Sequence, residues 1–252
     1  MITAKDNPKI KQLKKLHLRK NRTKFQQYII EGFHLVEEAH FAQAKIEEIY
    51  VTEDFLQIAP AWLSDYSVQI VAENILQLAS QLPTTPGIIA LVKKNPPATI
   101  ATLSGGFLLL DRIQDPGNLG TMIRSADAFG LSGVVLGSGT VDLYDQKVLR
   151  ALQGSLYHLP IFEGDLNTWI QKAQGQNIPV YGTELNEQAI PLRKVVPTEN
   201  FLVILGNEGQ GVDEALLKQT NENIYIEMNG QAESLNVGVA CGIVLYHLCQ
   251  KF

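Results

Sequence analysis

The chain has 252 residues, 45% hydrophobic and 19% charged, which suits one large or two modest globular domains. Its net charge of −5 does not by itself point to nucleic acid, and no apolar run approaches the length of a membrane span, which excludes a spanning segment. The N-terminus is basic but lacks an apolar segment, so no secretory leader is expected, and a cytoplasmic protein is.

In chain order, residues 7–20 read as a helix, with Asn7 as N-cap and Pro8 at the first helical position. Ile10, Leu13, Leu16 and His17 form a narrow stripe among lysines, and residues 19–24 read as a polar turn. Residues 1–24 carry nine Lys and Arg against one acid, Asp6, on an otherwise acidic chain. Such an asymmetry marks a polyanion-binding arm or, more plainly, a solvated helix face. Lys9, Lys14, Lys15, Arg19, Lys20, Arg22 and Lys24 are its candidate phosphate contacts. Strands are expected at 28–30, 46–51, 68–71 and 87–92, with helices at 33–43, after the turn at 52–54, and at 73–80. This is a small α/β unit.

Lys93-Lys94-Asn95-Pro96-Pro97 breaks the alternation, since two prolines continue neither strand nor helix. A linker is expected over 96–104, between domains at 1–95 and 105–252. The second begins with a buried strand, 107–111, and a turn at Asp115-Pro116-Gly117. A helix over 119–129 follows, with Leu119, Met122, Ile123, Ala126 and Phe129 on its apolar face, Arg124 beside them and Gly130 at C′. Strands are expected at 133–136, 159–162, 178–182, 201–205 and 224–228, and helices at 145–153, 165–174 and 236–250. Alternating strands and helices imply a parallel sheet covered on both faces.

The stretch 201–246 carries the strongest local signal. An apolar strand breaks into Gly206-Asn207-Glu208-Gly209-Gln210-Gly211, and a second leads to Glu233-Ser234-Leu235-Asn236. Three glycines in six residues suit close approach of backbone to a ligand. The order G-x-x-G-x-G is not the dinucleotide fingerprint, and no phosphate-binding P-loop occurs. Ligands of such sheets sit beyond the carboxyl ends of the strands. If loops 115–118, 206–211 and 228–236 converge, they bring Asn118, Arg124, Glu208, Ser234 and Asn236 over glycine-rich backbone. Cys241 and Cys249, eight apart on one helix, cannot pair, and with no CxxC or His cluster no metal is expected.

The second domain resembles the SpoU (TrmH-like) RNA 2′-O-ribose methyltransferases. Three segments carry the resemblance: Leu110-Asp111-Arg112-Ile113-Gln114-Asp115-Pro116-Gly117-Asn118-Leu119-Gly120 continuing through Arg124 to Gly130; Leu205-Gly206-Asn207-Glu208-Gly209-Gln210-Gly211; and Ile226-Glu227-Met228 with Glu233-Ser234-Leu235-Asn236. Residues 1–95 resemble the small RNA-binding domain that precedes it in many members. The resemblance implies an α/β sheet whose C-terminal part is a trefoil knot, S-adenosylmethionine as cofactor, and a homodimer with active sites built from both subunits. It carries catalytic positions onto Asn118, Arg124, Glu208, Ser234 and Asn236, with Arg124 also touching RNA. Cofactor contacts fall on Gly206, Ile226 and Leu235, largely through backbone, and beside them on Leu205, Gly211, Met228 and Ser234. Asn207 and Gly238 depart from the commoner residues of their motifs.

The chemistry fits these residue types. A ribose hydroxyl must lose its proton as it takes a methyl group from sulfonium, so alignment and a proton route are what the enzyme supplies. A guanidinium is a poor base, which assigns Arg124 to orientation and phosphate contact. Asn118 and Ser234 also read as helix caps, and Glu208 either pairs with Arg124 or holds its loop. The expected function is ribose 2′-O-methylation, with ribosomal RNA favoured over transfer RNA by analogy. The competing readings are an RNA-binding protein without catalysis and a base methyltransferase of the same knotted superfamily, the latter disfavoured by the Asn118 to Arg124 spacing.

Overall fold

The computed structural model describes residues 1–96 and 100–250. The chain forms two compact units, one of residues 1–96 with 144–157 and the other of the remaining chain. Part of the expected linker, residues 97–99, and the end of the expected second domain, residues 251–252, lie outside the described residues.

The first unit opens with α1 (Pro8–Lys15), where the Asn7 side chain accepts from the Lys9 N–H at 2.9 Å and Pro8 sets the first turn. Ile10, Leu13 and Leu16 are fully buried, each side chain stabilising the unit by about 1.5–3 kcal/mol. The helix expected over 7–20 is two helices, because Leu18 is extended and α2 (Arg19–Phe25) starts after it. Arg22 explains the break. It is 2% exposed, and its Nη1 donates to the carbonyls of Leu16 and His17 at 2.8 Å, closing the end of α1. Residues 19–24 are therefore helix rather than a polar turn.

The chain continues through β1 (Gln27–Glu31), α3 (Phe33–Phe41), β2 (Ile46–Val51), α4 (Glu53–Gln57), β3 (Val68–Ile70), α5 (Glu73–Leu76) and β4 (Ile88–Lys93). The four strands form a mixed sheet in the order β1-β4-β2-β3, with β2 and β3 parallel and the other pairs antiparallel. Helices α1 and α5 and strands β1, β2 and β4 contribute to one core around Leu13, Ile29, Tyr50, Leu76 and Ile89.

The second stretch runs through β5 (Gly106–Leu110), α6 (Pro116–Ala128), β6 (Gly133–Leu136), α7 (Gln146–Leu152), β7 (Ile161–Glu163), α8 (Leu166–Gly175), β8 (Val180–Thr183), β9 (Ile190–Pro191), β10 (Phe201–Leu205), α9 (Glu214–Leu217), β11 (Glu222–Tyr225) and α10 (Val237–Leu248). Segment 144–157, with α7, belongs to the first unit. There the Gln146 side chain donates to the Ile29 carbonyl at 2.7 Å, and the Tyr28 and Tyr157 hydroxyls lie 3.0 Å apart. The compact units are thus not single stretches of chain, unlike the expected 1–95 and 105–252.

In the second unit seven strands lie in the order β7-β6-β5-β10-β8-β11-β9, every neighbouring pair parallel. Strands β5, β6 and β10 are buried at every residue, as apolar runs covered on both faces must be. The expected strand 224–228 is displaced toward the N-terminus. The Asn221 side chain accepts from the Val180 N–H at 2.8 Å and starts the pairing early, and β11 ends at Tyr225. The two-residue β9 has no pattern in the sequence long enough to mark it.

Candidate functional site

Strands β5 and β10 are paired in register to Leu110 and Leu205, so the loops that follow them start side by side. Loop 206–211 folds on itself: the backbone N–H groups of Asn207 and Gly211 each donate to the other's carbonyl, at 3.0 and 2.9 Å. A Cβ on Gly206 would lie 2.1 Å from the backbone of Gly211 and Val212, so no side chain fits there, and Gly211 has φ +69°. The Asn207 side chain holds the turn, accepting from the Gly209 and Gln210 N–H groups at 2.9 and 3.0 Å and donating to the Arg112 carbonyl at 2.9 Å.

Glu208 then ties this loop to the one after β5. Its carboxylate accepts from the N–H of Gln114 at 3.1 Å, the N–H of Asp115 at 3.0 Å and the Asn118 side-chain amide at 3.0 Å. Burial pushes its carboxyl up, but these hydrogen bonds, with one from its own backbone, outweigh burial and hold it below the ordinary carboxylate value. Glu208 thus holds the loop rather than Arg124. Asp115 is the N-cap of α6, accepting from the Asn118 N–H at 2.8 Å, so the helix begins at Pro116 rather than at residue 119. Asn118 sits inside the first turn with its side chain free for tertiary bonds, and is not the cap.

The third loop joins through Asn236. Its side chain caps α10 by accepting from the Gly238 N–H at 2.9 Å, and its amide donates to the Asn118 Oδ1 at 3.0 Å. Ser234 lies two residues before the cap, so the cap position belongs to Asn236. One chain of hydrogen bonds, Glu208 to Asn118 to Asn236, joins all three loops.

Below them lies a cavity of about 430 Å³, within the range of small-molecule sites. Its lining includes all seven expected cofactor positions, Leu205, Gly206, Gly211, Ile226, Met228, Ser234 and Leu235, together with Glu208 and Asn236. Thr183, Glu184, Leu185 and Tyr225 also line it and were missed by sequence reasoning. The polar Thr-Glu pair directly after the apolar run of β8 is the signal that marks them.

Arg124 stands apart. It is exposed on α6, is not among the residues lining the cavity, and makes no hydrogen bond or ion pair among the described residues. Six residues along a helix also turn it about 120° away from Asn118.

In the first unit, Lys14, Lys15, Arg19, Lys20 and Lys24 are exposed, and Lys9 pairs with Glu48. Arg22 is the correction to the expected set, since its guanidinium is buried against backbone carbonyls and cannot face a phosphate. No helix among the described residues is long and apolar enough to cross a membrane. Cys241 is buried and Cys249 partly so.

Residues 106–246 match the family described as the SpoU rRNA Methylase family, and residues 7–90 match the MRM3-like substrate binding domain. The chain is 43% identical over 247 residues, covering 98% of both proteins, to the 23S rRNA (guanosine(2553)-2′-O)-methyltransferase RlmP of Bacillus subtilis. It is 28% identical to the 23S rRNA (guanosine-2′-O-)-methyltransferase RlmB of Acinetobacter baylyi, across 73% of this chain and 79% of that one. Among solved structures, the AdoMet-bound rRNA methyltransferase of Sinorhizobium meliloti superposes with a TM-score of 0.88 at 26% identity, covering 98% of this chain and 96% of that chain.

Proposed function

This chain belongs to the SpoU rRNA methylase family, and from that premise we propose that it methylates a ribose 2′-hydroxyl of ribosomal RNA with S-adenosylmethionine as cofactor. The observation that carries the reading is the hydrogen-bonded chain from Glu208 through Asn118 to Asn236, closing three loops over a glycine-backed cavity. The residues fit the cofactor. Leu205, Ile226, Leu235 and Val244 offer apolar walls, and the missing side chain of Gly206 lets backbone pass close by. S-adenosylmethionine, when bound, supplies an already activated methyl group.

The chain's own residues then have to orient the hydroxyl, whose proton passes to water as the oxygen takes the methyl group. Asn118 and Asn236 fix each other and present the remaining capacity of their amides to substrate. Glu208 keeps both in place from a carboxylate already occupied by three donors. Arg124, always charged, aligns the hydroxyl and the adjacent phosphate without acting as base.

Because Arg124 lies outside the cavity of its own chain, the reading includes a homodimer in which the second copy completes the site. Its support is an apolar stripe on α10, where Val239, Ile243 and Tyr246 are 52%, 39% and 64% exposed at helical spacing. The cationic arm of the first unit supplies phosphate contacts, and no metal takes part. The C-terminal trefoil knot of the family is part of the same proposal, supported by β10 lying between β5 and β8.

Incubation with ribosomal RNA and labelled cofactor tests the reaction. Label in alkali-resistant dinucleotides supports ribose methylation. Label in alkali-sensitive nucleotides indicates a base methyltransferase, and cofactor binding without transfer indicates a silent RNA-binding protein. Arg124→Ala is expected to lower single-turnover methylation at saturating RNA by about 10²–10³ with cofactor affinity unchanged, and Arg124→Lys to rescue little. Near-normal turnover would remove Arg124 from the chemistry.

A further inference from the structure

The cavity has walls of one charge sign. Glu184, Glu208 and Glu233 line it, and among the described residues no Lys, Arg or His does. Glu208 is already engaged by three donors, but Glu184 is not. Among the described residues its Oε1 accepts only from the N–H of Leu185, at 3.2 Å. Its Oε2 lies against Gly211, 3.1 Å from where a Cβ would stand. Arg193 is held by Glu227 at 2.9 Å, and Arg112 borders a neighbouring cavity that Glu184 also lines. The Arg112 guanidinium is drawn to Asp111 at 3.0 Å and Asp213 at 3.9 Å, and makes no ion pair with Glu184 among the described residues.

The position of Glu184 is fixed by the sheet. Strand β8 ends at Thr183, whose hydroxyl donates to the Ile204 carbonyl at 3.0 Å, and the Glu184 N–H donates to the Ile224 carbonyl at 3.1 Å. Glu184 is therefore held at the carboxyl end of a central strand, where such sheets bind ligands.

We infer that Glu184 is a specificity residue that makes this cavity favour a cationic ligand, and so distinguishes S-adenosylmethionine from its demethylated product. The inference rests on the cofactor reading above. The methylated cofactor carries a sulfonium and an ammonium against one carboxylate, a net positive charge. Methyl transfer breaks the S–CH₃ bond, leaves its electron pair on sulfur, forms an O–CH₃ bond to the ribose and passes the hydroxyl proton to water, so the product is a thioether whose ammonium and carboxylate cancel. A carboxylate facing the cavity gains attraction for the first and not for the second. Product release is then favoured by the reaction itself.

Calorimetry with three ligands tests this: S-adenosylmethionine, S-adenosylhomocysteine, and sinefungin, whose amine keeps a positive charge near the methyl-bearing position. Glu184→Gln is expected to weaken the two cationic ligands about five- to tenfold, the scale of one partly screened unit charge, and to leave the homocysteine product within about twofold. Glu184→Asp keeps the charge and should retain the preference, and added salt should narrow it in the wild type. Equal losses for all three ligands would give Glu184 a role in shape alone, and unchanged affinities would remove it from the site. Either result overturns the inference while leaving the cofactor reading intact. Failure of the wild type to bind any of the three would instead remove the cofactor reading and the inference with it. Thermal unfolding of each variant, matched to wild type, excludes misfolding as the cause of a loss.

Discussion

Replacing Glu208 with Gln should loosen the loop cluster and do so in a pH-dependent way. The carboxylate accepts three hydrogen bonds, one at Oε2 from Gln114 and two at Oε1 from Asp115 and Asn118. An amide offers one oxygen. In its better orientation Glu208→Gln keeps the two bonds at Oε1, now to a neutral acceptor, and turns an NH₂ toward the Gln114 N–H. Hydrogen bonds to a charged group contribute about 1.5–3 kcal/mol each when shielded. The site is exposed, so about 1–2 kcal/mol for the whole change is the reasonable magnitude. For a chain of this length that lowers Tm by roughly 2–8 °C. The folded-state carboxyl of Glu208 lies below its ordinary value, so its contribution is fully present above the unfolded value of about 4.3. It is lost as pH falls through the lowered folded value. The gap between wild type and Glu208→Gln should therefore hold from neutral pH to about 5 and close in stronger acid. Thermal unfolding of both proteins across that range measures it. A gap that persists unchanged into acid, or no gap at neutral pH, would show that the carboxylate does not staple the loops.

The basic arm divides into two kinds of residue. Neutralising Lys14, Lys15, Arg19, Lys20 and Lys24 together should weaken RNA binding and flatten its salt dependence without lowering Tm, read by filter binding at several salt concentrations. Arg22→Ala should instead destabilise the first unit by about 1–3 kcal/mol, since the Leu16 and His17 carbonyls lose their donor, and urea unfolding will show it. Val239→Glu with Tyr246→Glu should convert a dimer into monomers in sedimentation, and a wild-type monomer at micromolar concentration would refute the two-copy site. Burial pushes the Cys241 thiol up strongly and the Cys249 thiol to about 11, so both should resist alkylation in the native protein at pH 8 and react once it is unfolded.

The parallel sheet was legible because β5, β6 and β10 are unbroken apolar runs, a pattern that only burial on both faces requires. The tight loop 206–211 was legible because Gly206 leaves room and Gly211 takes a backbone angle that suit only glycine, whereas Ile226 and Leu235 entered the expected set through the resemblance alone. What failed did so where a tertiary contact overrides local pattern. The break between α1 and α2 depends on one arginine reaching back to two carbonyls, and nothing in Arg19-Lys20-Asn21-Arg22 distinguishes that arginine from its exposed neighbours. The start of β11 depends on Asn221 reaching Val180, a residue distant in sequence. The membership of 144–157 in the first unit depends on Gln146 finding the Ile29 carbonyl. Each is a polar side chain satisfying backbone far away along the chain, which hydrophobic periodicity does not report.

The same kind of bond explains how the site can be both exposed and ordered. Loops at the end of a sheet are ordinarily its most mobile parts. Here the Asp111 carboxylate, itself buried, accepts from the Asp213 N–H at 2.9 Å and pairs with Arg112, whose carbonyl receives the Asn207 amide. Asn207 shapes the turn that presents Glu208, and Glu208 fixes Asn118, which fixes Asn236 at the head of α10. Helix α10 in turn packs on α6, so closely that a Cβ on Gly238 would lie 3.2 Å from Thr121, one turn beyond Asn118. The circuit is closed: a displacement of either helix is felt at the Asn118–Asn236 bond. Substrate alignment to within a fraction of an ångström is worth orders of magnitude in rate, and a ring of short polar bonds supplies it where packing alone would leave the loops free. It follows that Gly238→Val, at a residue outside the cavity lining, should lower turnover by spreading α6 from α10 and by crowding the Asn236 Oδ1, also 3.2 Å from that Cβ. Cofactor affinity should fall less, because α10 gives the cavity only Val237, Ala240 and Val244, while the loops and strand ends supply most of its lining. Parallel measurement of turnover and of cofactor binding in that variant separates the two. A loss confined to binding would place the effect in the cavity and refute the coupling through the helices.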